Sequence, residues 1–156
     1  MVCCFTGHRK IASEELARLP LLLEGTLERL IGEGVTVFRA GGAIGFDTLA
    51  ALSVLEKKEV YPQIRLELIL PCKDQADRWS AKSREIYEYI LRSADSVTVL
   101  RERYTAGCMQ ERNRRLVEGA HRCVAFCRNG EGGSAYTVAY AKRNGVSVIN
   151  LAEQIH

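Results

Sequence analysis

Gly41-Gly42-Ala43-Ile44-Gly45-Phe46-Asp47-Thr48, entered directly from the apolar run Val35-Thr36-Val37-Phe38, is the stretch on which the fold turns. A strand that breaks into closely spaced glycines and resumes as a helix makes a phosphate-sized nest of backbone N–H groups. The same logic recurs at both ends of the chain. Thr6-Gly7-His8-Arg9 follows the apolar run from Val2 to Phe5, and Gly130-Glu131-Gly132-Gly133-Ser134 follows Cys123 to Cys127. Three such junctions imply one crevice, built from loops at one edge of a sheet, for an anionic ligand.

Outward from that stretch the pattern alternates. β-rich runs occur at about 2–6, 35–39, 64–70, 95–100, 121–127 and 146–150, with helix-like segments at about 13–33, 45–58, 78–93, 108–118 and 133–144. In the first helix Leu16, Leu19, Leu23, Leu27 and Leu30 fall at three- and four-residue steps, while Pro20 predicts a kink or a split. Trp79, Ile86, Tyr89 and Ile90 mark one side of the third. Strands separated by helices of this length imply right-handed crossovers and a parallel sheet covered on both faces. The apolar runs Leu66–Leu70 and Val97–Leu100 read as strands buried on both sides. The expectation is one domain over residues 1–156: an α/β, three-layer, doubly wound Rossmann-like sheet of strand order 3-2-1-4-5-6. Its ligand then sits beyond the carboxyl ends of the strands, beside the first.

The chain has 156 residues, 47% hydrophobic and 26% charged, which is the composition of a globular domain with a real core. A net charge of +3 favours acidic ligands only mildly and does not by itself announce a nucleic-acid partner. No apolar stretch has the length of a membrane span, and the amino terminus enters a strand-like run at once, so the expectation is a cytoplasmic protein with no membrane contact. The 6 cysteines lack paired metal spacing, and neighbours Cys3 and Cys4 point to opposite faces of a strand. They read as reduced structural thiols; no metal site and no cofactor is expected.

The candidate ligand-binding residues are those that the junctions present. In the first, Gly7 allows close backbone approach, Thr6 offers a hydroxyl, His8 a ring, and Arg9 a fork for phosphate. In the second they are Gly41, Gly42, Ala43, Gly45 and Asp47. Its spacing is neither the dinucleotide fingerprint nor a Walker A loop, and what remains is a glycine turn into a helix N-terminus. Asp47 either complements the helix dipole or accepts hydrogen bonds from a sugar or base. Pro71 follows the third strand at the same edge, with Gln75 and Trp79 beyond it; Trp79 reads as core. Arg112 and Asn113 lie in the first turns of the fourth helix, and Gly132, Gly133, Ser134 and Thr137 form the last nest. Ser134 also reads as a helix N-cap. The arginines around them (Arg101, Arg103, Arg114, Arg115, Arg122) are offset by Glu102, Glu111 and Glu118, as on a mixed solvated surface. No catalytic set emerges: His121 sits at a strand start, His156 is the last residue, and no hydrolase or zinc-protease motif is present.

The set Cys3-Cys4-Phe5-Thr6-Gly7-His8-Arg9, Gly41 to Asp47, Pro71-Cys72, Tyr104, Arg112-Asn113 and Gly133 to Thr137 resembles the SLOG superfamily, and within it the stand-alone bacterial YspA/YpsA-like branch. The resemblance covers the whole chain in order. It implies a Rossmann-like domain that binds a nucleotide or nucleotide-derived small molecule, as a sensor in one version, and self-association as a homodimer. The superfamily's LOG enzymes cleave nucleoside monophosphates, and Arg112 matches their catalytic arginine. Their Gly-Gly-x-Gly-Thr-x-x-Glu motif aligns with Thr137, but Ala139 and Tyr140 stand where the acid should be. A glycosidic bond breaks through an oxocarbenium-like state that a carboxylate stabilises, so the phosphoribohydrolase reading is the weaker one. It would need Asp47 or Glu111 instead. The DprA branch binds single-stranded DNA, for which the basic balance here is thin and the aromatic platforms few.

Overall fold

The computed structural model describes residues 1–128 and 132–155; Gly130 and Glu131 of the third junction, and His156, lie outside the described residues. Strands β1 (Val2–Gly7), β2 (Val37–Ala40), β3 (Arg65–Leu70), β4 (Ser96–Val99), β5 (Arg122–Phe126) and β6 (Ser147–Asn150) alternate with helices. The helices are α1 (Ser13–Gly32), α2 (Phe46–Val60), α3 (Ala81–Ser93), α4 (Cys108–Val117) and α5 (Gly132–Arg143). Every pairing is parallel, in the order β4-β3-β2-β1-β5-β6.

The doubly wound three-layer class is as expected, and the strand order differs from it. Strand β4 pairs with β3, Leu68 opposite Val97 and Leu70 opposite Val99, instead of lying on the free side of β1. Helix α3 therefore packs beside α2, and α4 is the connection that returns across the sheet to β5. The switch point consequently lies between β1 and β5.

Period-two alternation sorts the strands onto two faces. Cys3, Phe5, Phe38, Leu66, Leu68, Val124 and Phe126 pack under α1, α2 and α3 in the larger core. Cys4, Ile69 and Cys123 face α4 and α5 with Leu116, Val117, Ala141 and Val146 in a smaller one. Strand β4 corrects the double burial read from Val97–Leu100: Val97 and Val99 are 41% and 40% exposed. An edge strand has a neighbour on one side only, and hydropathy alone does not mark an edge.

Helix α1 runs unbroken through Pro20. Pro20 faces solvent, where water can satisfy the carbonyl it leaves free, while Leu19, Leu23, Leu27 and Leu30 are fully buried beneath. Leu16 stays half-exposed. In α3 the inward aromatic is Tyr87, not Tyr89, and Trp79 precedes the helix, edge-on to Tyr87 at 5.1 Å. All six cysteines are buried and free, and burial pushes the Cys3 thiol well above its ordinary range. Among the described residues no helix is long and apolar enough to cross a membrane, and no group of His, Cys, Asp and Glu is arranged to hold a metal ion.

Candidate functional site

Strands β1 and β5 run side by side to their carboxyl ends, with Thr6 opposite Ala125 and Gly7 opposite Phe126. Past that point the chain is stitched by backbone bonds: His8 N–H donates to the Phe126 carbonyl at 3.1 Å, and Phe46 N–H donates to the His8 carbonyl at 3.1 Å. The loops after β1, β2 and β5 thus meet, and with α4 they enclose a cleft of about 280 Å³. Thr6, Gly7, His8, Arg9, Ala43, Asp47, Arg112, Asn113, Gly133 and Ser134 line it, together with Phe5, Met109 and Leu116. Sequence reading named Phe5 only in the first apolar run and within the resemblance, and did not single out Met109 or Leu116. Met109 and Leu116 lie three residues before and four after Arg112, so helical spacing places them on its face.

The remaining candidates stand behind that lining or away from it. A Cβ on Gly41 would lie 2.6 Å from Arg112 Nη1, so this glycine is the seat of the guanidinium. Gly45, at φ 83°, has Arg9 backbone where a Cβ would go, and a Cβ on Gly7 would come within 2.5 Å of the Phe46 ring. A Cβ on Gly42 would meet Leu70. These glycines bring protein parts together. Thr137 is fully buried and donates its hydroxyl to the Gly133 carbonyl at 2.9 Å. Pro71 and Gly132 do not line the cleft, nor does Gln75, whose amide donates to Tyr87 Oη at 3.3 Å. Ala139 is exposed, Tyr140 stacks on Tyr136, and neither reaches the cleft.

Arg112 is the side chain that gives the cleft its character. It is 5% exposed. Its Nη1 donates to the Gly41 carbonyl at 2.5 Å and its Nε to Asn113 Oδ1 at 2.9 Å, while Nη2 lies 3.6 Å from Met109 Sδ. All three partners are neutral, and Arg112 enters no ion pair among the described residues. Burial lowers its pKa, the Asp47 carboxylate opposes that, and the Arg9 charge adds to it. Asp47 sits in the first turn of α2 and accepts the Ala43 N–H at 3.3 Å, which pins the glycine loop. Burial raises the Asp47 pKa, against the pull of Arg112, the Ala43 N–H, Arg9 and the Gly41 N–H. Carboxylate and guanidinium thus sense each other without direct contact.

His8 joins the first and third junctions. Its Nε2 accepts the Arg128 N–H at 2.7 Å, its Nδ1 lies 3.2 Å from Ser134 Oγ, and its ring stands edge-on to Phe126 at 6.0 Å. Helix α5 starts at Gly132, so Ser134 lies inside the first turn and is not its N-cap.

A family model described as the YspA SLOG family matches residues 4–150. A UPF0398 protein of Bacillus pumilus is 33% identical over 98 residues, 62% of this chain and 53% of that protein. A UPF0398 protein of Halalkalibacterium halodurans is 32% identical over 117 residues, 73% of this chain and 62% of that protein. The chain therefore spans between about half and two thirds of the length of these relatives. Among solved structures, DNA processing protein A of Helicobacter pylori, solved for its single-stranded DNA binding mode, superposes with a TM-score of 0.68 at 16% identity. That match covers 95% of this chain and 63% of the other. The protein of the same name from Streptococcus pneumoniae gives 0.66 at 18% identity, over 94% and 48%. At such identities the likeness is one of fold. By the family match, the chain belongs to the YspA SLOG family.

Proposed function

We propose, from that membership, that the cleft binds a nucleotide or nucleotide-derived small molecule through its phosphate, in the manner of a sensor module. The observation that carries the reading is Arg112: a buried cation with only neutral hydrogen-bond partners, facing a cleft beside Arg9. Holding a charge out of water is costly unless something compensates it, and here the compensation within the fold is incomplete. An anion entering between Arg112, Arg9 and the first turns of α2 and α5 supplies the missing charge. Calorimetry with nucleoside mono- and diphosphates and ADP-ribose tests this: saturable binding is expected, weakened at least tenfold by Arg112→Met. No heat at millimolar ligand with both arginines intact ends the proposal.

A second reading is a phosphoribohydrolase acting on nucleoside monophosphates. Asp47 favours it, as the one carboxylate lining the cleft among the described residues, held partly toward its protonated form. It predicts release of free base by the unaltered protein and none by Asp47→Asn. The third reading follows the structural neighbours to single-stranded DNA, whose binding would fall steeply as salt rises. A flat salt response excludes it.

A further inference from the structure

We propose that Ser134 is the specificity-determining donor of the cleft and that His8 is the positioning residue that aims its proton at the ligand. The claim rests on the anion reading above and adds to it the chemistry of one contact.

A backbone N–H can only donate. The Arg128 N–H therefore requires a bare lone pair on His8 Nε2, 2.7 Å away. The neutral ring then carries its proton on Nδ1, and the atom 3.2 Å from that proton's nitrogen is Ser134 Oγ. Ser134 Oγ accepts from His8, and its own proton has no partner among the described residues. Ser134 is 7% exposed on the cleft wall. The group the serine serves is accordingly an acceptor: an unprotonated phosphate oxygen suits it.

The same arrangement excludes a serine nucleophile. His8 has one lone pair engaged by Arg128 and a proton on the other nitrogen, so it has no site free to take the hydroxyl proton. A Ser-His pair that resembles a hydrolytic dyad in composition is wired in the opposite sense. Its stiffness has visible sources. The ring stands edge-on to Phe126, and His8 is tied by its backbone to both β5 and α2.

Two measurements test this. Two-bond proton–nitrogen spectra of protein labelled with 15N-histidine should show His8 with a protonated Nδ1 and a bare Nε2; the reverse pattern overturns the wiring. Calorimetry with AMP should then show Ser134→Ala weakening binding about tenfold, the usual effect of losing one hydrogen bond to a charged group. His8→Ala should weaken it similarly alone and add nothing in the Ser134→Ala background. His8→Gln should retain binding, because its amide can accept from Arg128 and donate to Ser134 at once. Additive losses, or full affinity in Ser134→Ala, overturn the proposal. Should the unaltered protein bind neither AMP nor the nucleoside diphosphates and ADP-ribose, the anion reading and the donor role fall together. Should it bind one of those and not AMP, the anion reading stands and the same variants are titrated with that ligand. In either case the spectra decide the tautomer independently. Melting curves identify any variant that has lost its fold, in which case His8→Gln and the spectra carry the decision.

Discussion

The cleft between β1 and β5 and the β4 margin of the sheet are made of the same residue types, glycine, arginine and aspartate, and use them in opposite ways. At the margin Asp95 and Arg101 each meet a partner of opposite charge. Asp95 pairs with Lys58 and accepts the Leu66 N–H at 2.8 Å. Arg101 donates twice to Glu111, at 3.0 and 2.5 Å, and also reaches Thr105 and the Ala106 carbonyl. In the cleft Arg112 and Asp47 are more deeply buried and do not touch. A fold that can satisfy charges so fully at one edge and leaves them unpaired at another has room there for a partner from outside. Charges that already satisfy one another at a surface add little to stability and advertise no ligand.

The largest expected break in that contrast is at glycine. Gly45 and Gly107 both have positive φ, 83° and 82°, and both precede a helix. Around Gly107 a new Cβ meets nothing within 4 Å, whereas at Gly45 it meets the backbone of Arg9. Gly45→Ala should cost about 4 kcal/mol, from a conformation open essentially to glycine and from overpacking. Gly107→Ala should cost about 1 kcal/mol, the left-handed penalty alone. Urea unfolding reads both; equal costs would mean that the two junctions are not packed as described. Next in size is arginine. Arg112→Met should remove anion binding and change stability little, because relief of the buried cation's desolvation offsets the support that the Asp47 carboxylate and the Gly41 carbonyl lose. Arg101→Met should leave binding unchanged and stability nearly so. Loss of binding in Arg101→Met with binding retained in Arg112→Met would place the anion site at the margin instead.

The elements were legible because this chain punctuates them: apolar runs end in glycines, and every strand and helix read from the pattern lies within a few residues of its observed bounds. The strand order was not legible. Whether β4 adds outside β3 or crosses to β1 depends on which sheet face α3 covers, and no local signal in Ala81–Ser93 states that. For the same reason the two half-exposed valines of β4 read as core. At the site, the loops could be found from their glycines but not the use of each glycine. That Gly41 exists to seat Arg112 is a contact across 71 positions of sequence, and no spacing rule reports it. His8 could be placed at the crevice, but its two hydrogen-bond partners lie more than a hundred residues away.

The smallest effect separates the two aspartates most sharply, because its sign reverses between them. For Asp95, burial pushes the pKa up but is outweighed by the Lys58 bond, the Leu66 N–H and the charges of Lys58 and Arg65, and the net result is a lowered value. A lowered folded pKa contributes stability that is present above the ordinary carboxylate range and is lost as pH falls through the folded value. For Asp47 burial wins and the folded pKa is raised. There the folded chain holds the proton more tightly than the unfolded one, so stability is greatest below the ordinary range and declines as pH rises toward the folded value. Asp47→Asn removes that decline, and Asp95→Asn removes the gain. From below the ordinary carboxylate range up to neutral pH the stability of Asp47→Asn relative to the unaltered protein should therefore rise, while that of Asp95→Asn should fall. Melting temperatures across that range decide it. If both variants drift in the same direction, Asp47 is compensated within the fold after all, and the cleft loses its reason to seek an anion.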